Sequence, residues 1–209
     1  MTINLEPPAL QVDFAFSLKE VRERLLVDAL QSCVQQIDLT ILDSQLHLFS
    51  DAEALKRLAM YGLRGELLFA VPCILEHNPE LLGYYRLLLG YSQKAFYTSG
   101  SGVGQFKSME ERGKISTRQR LSLTALCQAL CESATFFVNG LADYMLDYRF
   151  LDDLTLLTLG PQLRGGANVQ RGTAAIVQVF DIIQEIVQNS IVQSSKHQIE
   201  IKGTSINIA

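Results

Sequence analysis

Residues 197–209 read HQIEIKGTSINIA, and the reading of this stretch decides the fold. Ile199 and Ile201 alternate with Glu200 and Lys202, and Ile206 and Ile208 resume the alternation after Gly203-Thr204. Successive side chains on a strand point to opposite faces. The period of two therefore predicts strands, with Glu200 and Lys202 on one face and the isoleucines on the other. Gly203-Thr204 between the two runs predicts a two-residue hairpin turn. Glu200-Ile201-Lys202 also spells E-x-K, which many DNA-cleaving enzymes carry on a strand as half of a metal site. A solvated strand face gives the same spacing, with isoleucines inward and charges outward. Both readings stand at this point.

Upstream the period is helical. Ser17-Leu-Lys-Glu20 has the pattern of a capping box, in which the serine oxygen and the glutamate carboxylate satisfy amides at a helix start. Val21, Leu25, Ala29, Cys33 and Ile37 then recur every four residues and predict one long helix. Ser50-Asp-Ala-Glu53 repeats the capping signal, with Gly62 as the C-terminal stop. Asn78-Pro79 reads as a cap followed by proline at the first helical position. Thr117 is expected to cap a helix from Arg118 to about Val138 that is apolar most of the way round, as suits a central buried element. Residues 98–107, TSGSGVGQFK, read as a flexible loop and lack the ending of a phosphate-binding loop.

The expected architecture is thus mainly α: a helical bundle followed by a short C-terminal β-hairpin. Residues 1–160 form the helical domain. Residues 161–209 hold a glycine-rich loop, a helix opening at Thr173, and the hairpin.

Composition bounds the function. The 209 residues are 48% apolar and 19% charged, which excludes a disordered chain. A net charge of −4 argues against a general nucleic-acid coat protein but leaves room for one local basic groove. No basic and apolar leader opens the chain, and no apolar run reaches the ~18 residues of a membrane span. Cys33, Cys73, Cys127 and Cys131 form no C-x-x-C pair, so reduced thiols in a cytoplasmic protein are expected. Three scattered histidines make a zinc site unattractive.

The cluster GPQLRGGANVQRG, residues 160–172, has two readings. Gln162 and Arg164 are side-chain types that read purines bidentately in the major groove of double-stranded DNA. Arg171 and the amides opening a helix at Thr173 would hold a phosphate. The alternative is a tight helix crossing in which glycines allow close backbone approach.

LRGELLFAVPCILEHNPELLGYYRLLLGYSQKAFY (63–97), FKSMEERG (106–113) and LTLGPQLRGGANVQRGTAAIVQVFDIIQEIV (157–187) together resemble the XcyI-type restriction endonucleases. The family is typified by type II enzymes that cut CCCGGG. The resemblance implies a PD-(D/E)xK nuclease core. In that core an aspartate on one strand and the E-x-K on the next hold Mg2+, and the lysine positions the attacking water. On that pattern Glu200 and Lys202 are the catalytic candidates and Glu200 the metal ligand.

This sequence departs from the pattern in having no aspartate between Asn189 and Ala209. The family's active-site strands also come later in the chain. The expectation is therefore a truncated or inactive member, with association through residues 190–209, either as a homodimer or by aggregation. The alternative is a non-catalytic helical module that binds DNA or protein.

Overall fold

The computed structural model describes residues 9–98, 100, 102–187, 191–194, 198–201 and 204–207. The chain divides into two compact units, residues 1–160 and 161–209.

The first unit opens with α1 (Ala9–Leu25) and α2 (Val27–Val34). The sequence predicts one helix here and the backbone makes two. Leu26 adopts an extended conformation, φ −106° and ψ −163°, between them. Both pieces keep the stripe of four-residue spacing, and Leu25, Leu26, Ala29, Leu30 and Cys33 are all buried. Ser17 lies inside α1 and caps nothing.

In α3 (Leu39–Phe49) the Asp38 carboxylate accepts from the Thr40 amide at 2.8 Å. In α4 (Ala52–Met60) Asp51 accepts from Ala54 at 2.9 Å, one residue later than the serine that the sequence pattern selects. Gly62, at φ +71°, follows α4 in the left-handed conformation that glycine adopts at least cost.

After a 3-10 turn at Gly65–Leu67 the chain passes as irregular backbone through Phe69, Ala70 and Val71, all fully buried. Buried backbone without a regular ladder needs other partners. The Tyr84 hydroxyl donates to the Leu67 carbonyl at 2.7 Å and the Tyr85 hydroxyl to the Glu66 carbonyl at 2.9 Å. The Cys131 thiol reaches the Ala70 carbonyl at 3.3 Å.

Next come α5 (Pro72–His77), a 3-10 turn at Pro79–Leu81 capped by Asn78, and α6 (Leu82–Leu88), which is buried along its whole length. Then follow α7 (Gln93–Thr98), a 3-10 turn at Val103–Phe106 and α8 (Lys107–Arg112). This 3-10 turn falls within the glycine-rich run. A Cβ at Gly104 would lie 2.9 Å from the Tyr97 carbonyl oxygen, so the close approach of two backbones requires glycine.

Ser116 caps α9 (Thr117–Leu121) through a complete capping box with Gln119. The expected single helix to Val138 is interrupted at Ser122, and α10 (Leu123–Gly140) resumes it. Arg57 closes the far end of α10, donating to the Val138 and Leu141 carbonyls at 2.6 Å each and pairing with Asp143 at 2.6 Å.

The expected ending of the chain is corrected. Tyr148–Val187 is one 40-residue helix, α11, that runs through the stretch predicted to be a glycine-rich loop. Thr173 lies in its interior, and its hydroxyl donates back to the Val169 carbonyl at 3.0 Å. Glycine costs about 1 kcal/mol in a helix, and here that cost does not outweigh the helix-forming neighbours.

Among the described residues no lone two-stranded hairpin follows, and no parallel strand pair of an α/β core is formed. The described strands β1 (Ile191–Ser194), β2 (Gln198–Ile201) and β3 (Thr204–Asn207) form an antiparallel sheet in the order β1-β2-β3. A parallel crossover, the mark of an α/β core, is absent among them. The alternation beginning at Ile191 belongs to the same sheet, so the hairpin reading undercounted its strands.

Candidate functional site

Three places bear on function: the glycine-rich helix, the strand carrying Glu200, and the buried network beneath the residues that carry the family resemblance.

In α11 the helical backbone separates the expected DNA contacts. Gln162 and Arg164 are two residues apart and therefore lie on different sides of the helix. Arg164 is exposed and Gln162 is half-buried. Positions 164 and 171 are seven residues, or two turns, apart on one side. Thr173 offers no helix-opening amides, because its backbone is within the 40-residue helix. The phosphate cradle expected there is therefore not formed by this backbone.

Glu200 lies on β2, the central strand, with Gln193 of β1 and Ser205 of β3 as its register partners. The β1–β2 register shifts between Ile191 and Gln193, a bulge that leaves an extra residue on β1. Lys202 lies outside the described residues. Magnesium needs several oxygen ligands, and nucleases hold it between carboxylates from at least two positions. Neither neighbour of Glu200 in the register is acidic. No group of three His, Cys, Asp or Glu side chains among the described residues is placed to hold a metal. The described residues therefore do not fit a magnesium site, and no catalytic step is derived through one.

The sequence reading missed the best-built polar cluster. Arg86 on α6 donates through Nε to Glu110 Oε2 at 2.9 Å and through an Nη to Oε1 at 2.7 Å. A further Nη reaches the Tyr91 carbonyl at 2.6 Å, and the Tyr97 hydroxyl donates to Glu110 Oε2 at 2.6 Å. Both charges are buried, with side-chain exposures of 3% and 5%. Burial, and then the Glu110 charge, push the Tyr97 hydroxyl above its ordinary range. Gly83 makes room for this pair: a Cβ there would lie 3.1 Å from Glu110 Cγ.

The cluster joins YYRLLLGYSQKAFY to FKSMEERG, so two of the segments that carry the resemblance meet in the core. Its signal was an arginine inside an otherwise apolar helix. Its charged pair is shielded from solvent and bonded on both oxygens of Glu110, the arrangement of a group that holds a fold together.

The thiols are also structural. Burial raises Cys33 to about 11 and Cys131 to about 12, which keeps both protonated at neutral pH. All four cysteines are free. No helix among the described residues is long and apolar enough to cross a membrane.

Comparison with known proteins supplies the context. The chain is 51% identical over 205 residues to the type II restriction enzyme XcyI of Xanthomonas campestris pv. cyanopsidis, covering 97% of this chain and 62% of that enzyme. It is 49% identical over 200 residues to the type II restriction enzyme Cfr9I of Citrobacter freundii, covering 95% of this chain and 61% of that enzyme. The chain thus spans about three-fifths of the length of the relatives it matches. No solved structure matches it. The XcyI restriction endonuclease family matches residues 15–207, and the chain belongs to that family.

Proposed function

We propose that the chain serves sequence-specific recognition of double-stranded DNA within type II restriction, and that it does not cleave DNA by itself. The observation that carries the first half is the 51% identity over 205 residues to a type II restriction enzyme. The second half rests on the sheet: Glu200 has Gln193 and Ser205, not carboxylates, beside it in the register. Magnesium-dependent cleavage is no part of this role, because the described residues do not fit a magnesium site. The same observation favours the second reading, a helical module that binds DNA or protein without cutting.

The test is incubation of the purified chain with a plasmid bearing CCCGGG, in magnesium and in manganese, beside a gel-shift assay on a duplex with that site. The expected result is a retained duplex whose affinity falls as salt rises, with no nicking. Site-specific cleavage that disappears in Glu200→Ala and in Lys202→Ala would make E-x-K the active strand. Failure to retain the CCCGGG duplex better than an unrelated one would remove the recognition role.

A further inference from the structure

From residue 165 onward, α11 carries an apolar seam that this chain leaves open. Gly165, Gly172, Val179 and Ile186 recur every seven residues, and Asn168, Ala175 and Ile182 recur every seven between them, so the seam carries one polar position. Such a repeat is the pattern of a helix that packs along another helix. Val179, Ile182 and Ile186 are 56%, 55% and 75% exposed. Phe180 faces another side of the helix and is buried. A Cβ at Gly165 or Gly172 would meet nothing within 4 Å. Nothing described in the chain requires glycine there, although each costs about 1 kcal/mol against alanine in a helix.

We propose that the occupant of this seam is α11 of a second copy, running antiparallel and crossing near Ala175. Size sets the direction. The seam is small at one end, with Gly165, Gly172 and Ala175, and large at the other, with Val179, Ile182 and Ile186. An antiparallel copy lays the large end of each helix over the small end of its partner, whereas a parallel copy sets glycine on glycine and isoleucine on isoleucine.

Charge gives the same answer. Arg164 lies eleven residues before Ala175 and Glu185 ten after it, each about three turns from Ala175, and both flank the seam on the same side. Both are exposed, and neither makes an ion pair among the described residues. Antiparallel pairing brings Arg164 of each copy to Glu185 of the other, twice, by the two-fold symmetry. Parallel pairing would put the two copies' Arg164 on opposite sides of the seam, each beside Val169 of the other, and leave it without a carboxylate. The seam from residue 165 to 186 is about 33 Å long at 1.5 Å per residue. Arg164 then serves the interface and does not read bases.

Sedimentation of the full chain tests the proposal. The expected species at high concentration has twice the 23.3 kDa chain mass. Arg164→Glu weakens association about tenfold at low salt, with the difference shrinking as salt screens it, and Arg164→Glu with Glu185→Arg restores it. An independent readout is oxidative cross-linking: Ala175→Cys, near the axis, yields a covalent dimer and Ile186→Cys does not. A wild-type monomer overturns the proposal, as does a dimer indifferent to the charge exchange. Cross-linking at both positions shows a parallel pair and overturns it too. Arg164→Glu that weakens duplex binding with no change in mass returns Arg164 to DNA contact and leaves the seam without its charge argument.

Discussion

Two long apolar helices of this chain meet opposite fates. α10 buries Leu123, Leu126, Cys127, Leu130, Cys131, Ala134 and Val138. Residues 161–187 of α11 are far richer in valine and isoleucine, yet Val169, Ile176, Val177, Val179, Ile182 and Ile186 are all exposed. Periodicity reports that a helix has an apolar face; it does not report whether the same chain covers it. Removing a contact should cost much in the first helix's surroundings and little in the second, and three measurements probe that contrast.

The largest effect is expected at the buried pair. Glu110→Ala leaves the Arg86 guanidinium, 3% exposed, without its bidentate partner. Breaking a buried pair from one side costs about 3–5 kcal/mol, because the remaining charge stays desolvated. Urea unfolding should show this loss, and Arg86→Met with Glu110→Met should recover much of it. A single variant within about 1 kcal/mol of wild type would show that water reaches the pair and that the first unit is looser than its burial indicates.

The legible parts of the sequence share a cause. Asn78-Pro79 was readable because a cap is a local rule: the Asn78 side chain accepts from the Glu80 amide at 3.2 Å. The cap of α9 was misread by one residue because Ser116 and Thr117 have the same chemistry, and only the Gln119 side chain three residues on, returning to the Ser116 amide at 2.7 Å, tells them apart. The break at Leu26 was invisible because two helices in sequence keep one four-residue stripe.

The glycine cluster misled for the opposite reason. Its weak propensity penalty reads as punctuation in the sequence, and a 40-residue helix overrides it. The Arg86–Glu110 pair joins residues 24 apart, a relation no local pattern carries. Family resemblance was legible in whole segments, whereas the chemistry of Glu200 depends on its neighbours across the sheet.

The second measurement titrates the same core. Burial, and then the Glu110 charge, hold the Tyr97 hydroxyl above its ordinary range, and burial raises Tyr84 and Tyr85 as well. A raised folded pKa means stability that is fully present below the unfolded pKa of about 10 and lost as pH rises above it. Each such tyrosine should cost about 1.4 kcal/mol per pH unit above that point. Tyr97→Phe should lower stability at pH 8, since its bond to Glu110 at 2.6 Å is gone. It should also flatten the decline between pH 10 and 11. An unchanged slope would mean that Tyr97 ionises in the folded state and that its burial is not maintained.

The smallest effect is expected at Val169, 70% exposed on α11 and lying to one side of the open seam. Val169→Ala removes two methyl groups that are already largely in water, so little transfer free energy is at stake. Alanine also outranks valine as a helix former by a few tenths of a kcal/mol, because valine loses rotamer freedom against the preceding turn. The two terms oppose each other, and the net change should lie within about 0.5 kcal/mol, leaning toward stabilisation. Urea unfolding at low protein concentration, where association contributes least, is the measurement. A loss of about 2 kcal/mol would mean that Val169 is covered in solution. The contrast between α10 and α11 would then be one between a partner within the chain and a partner outside it.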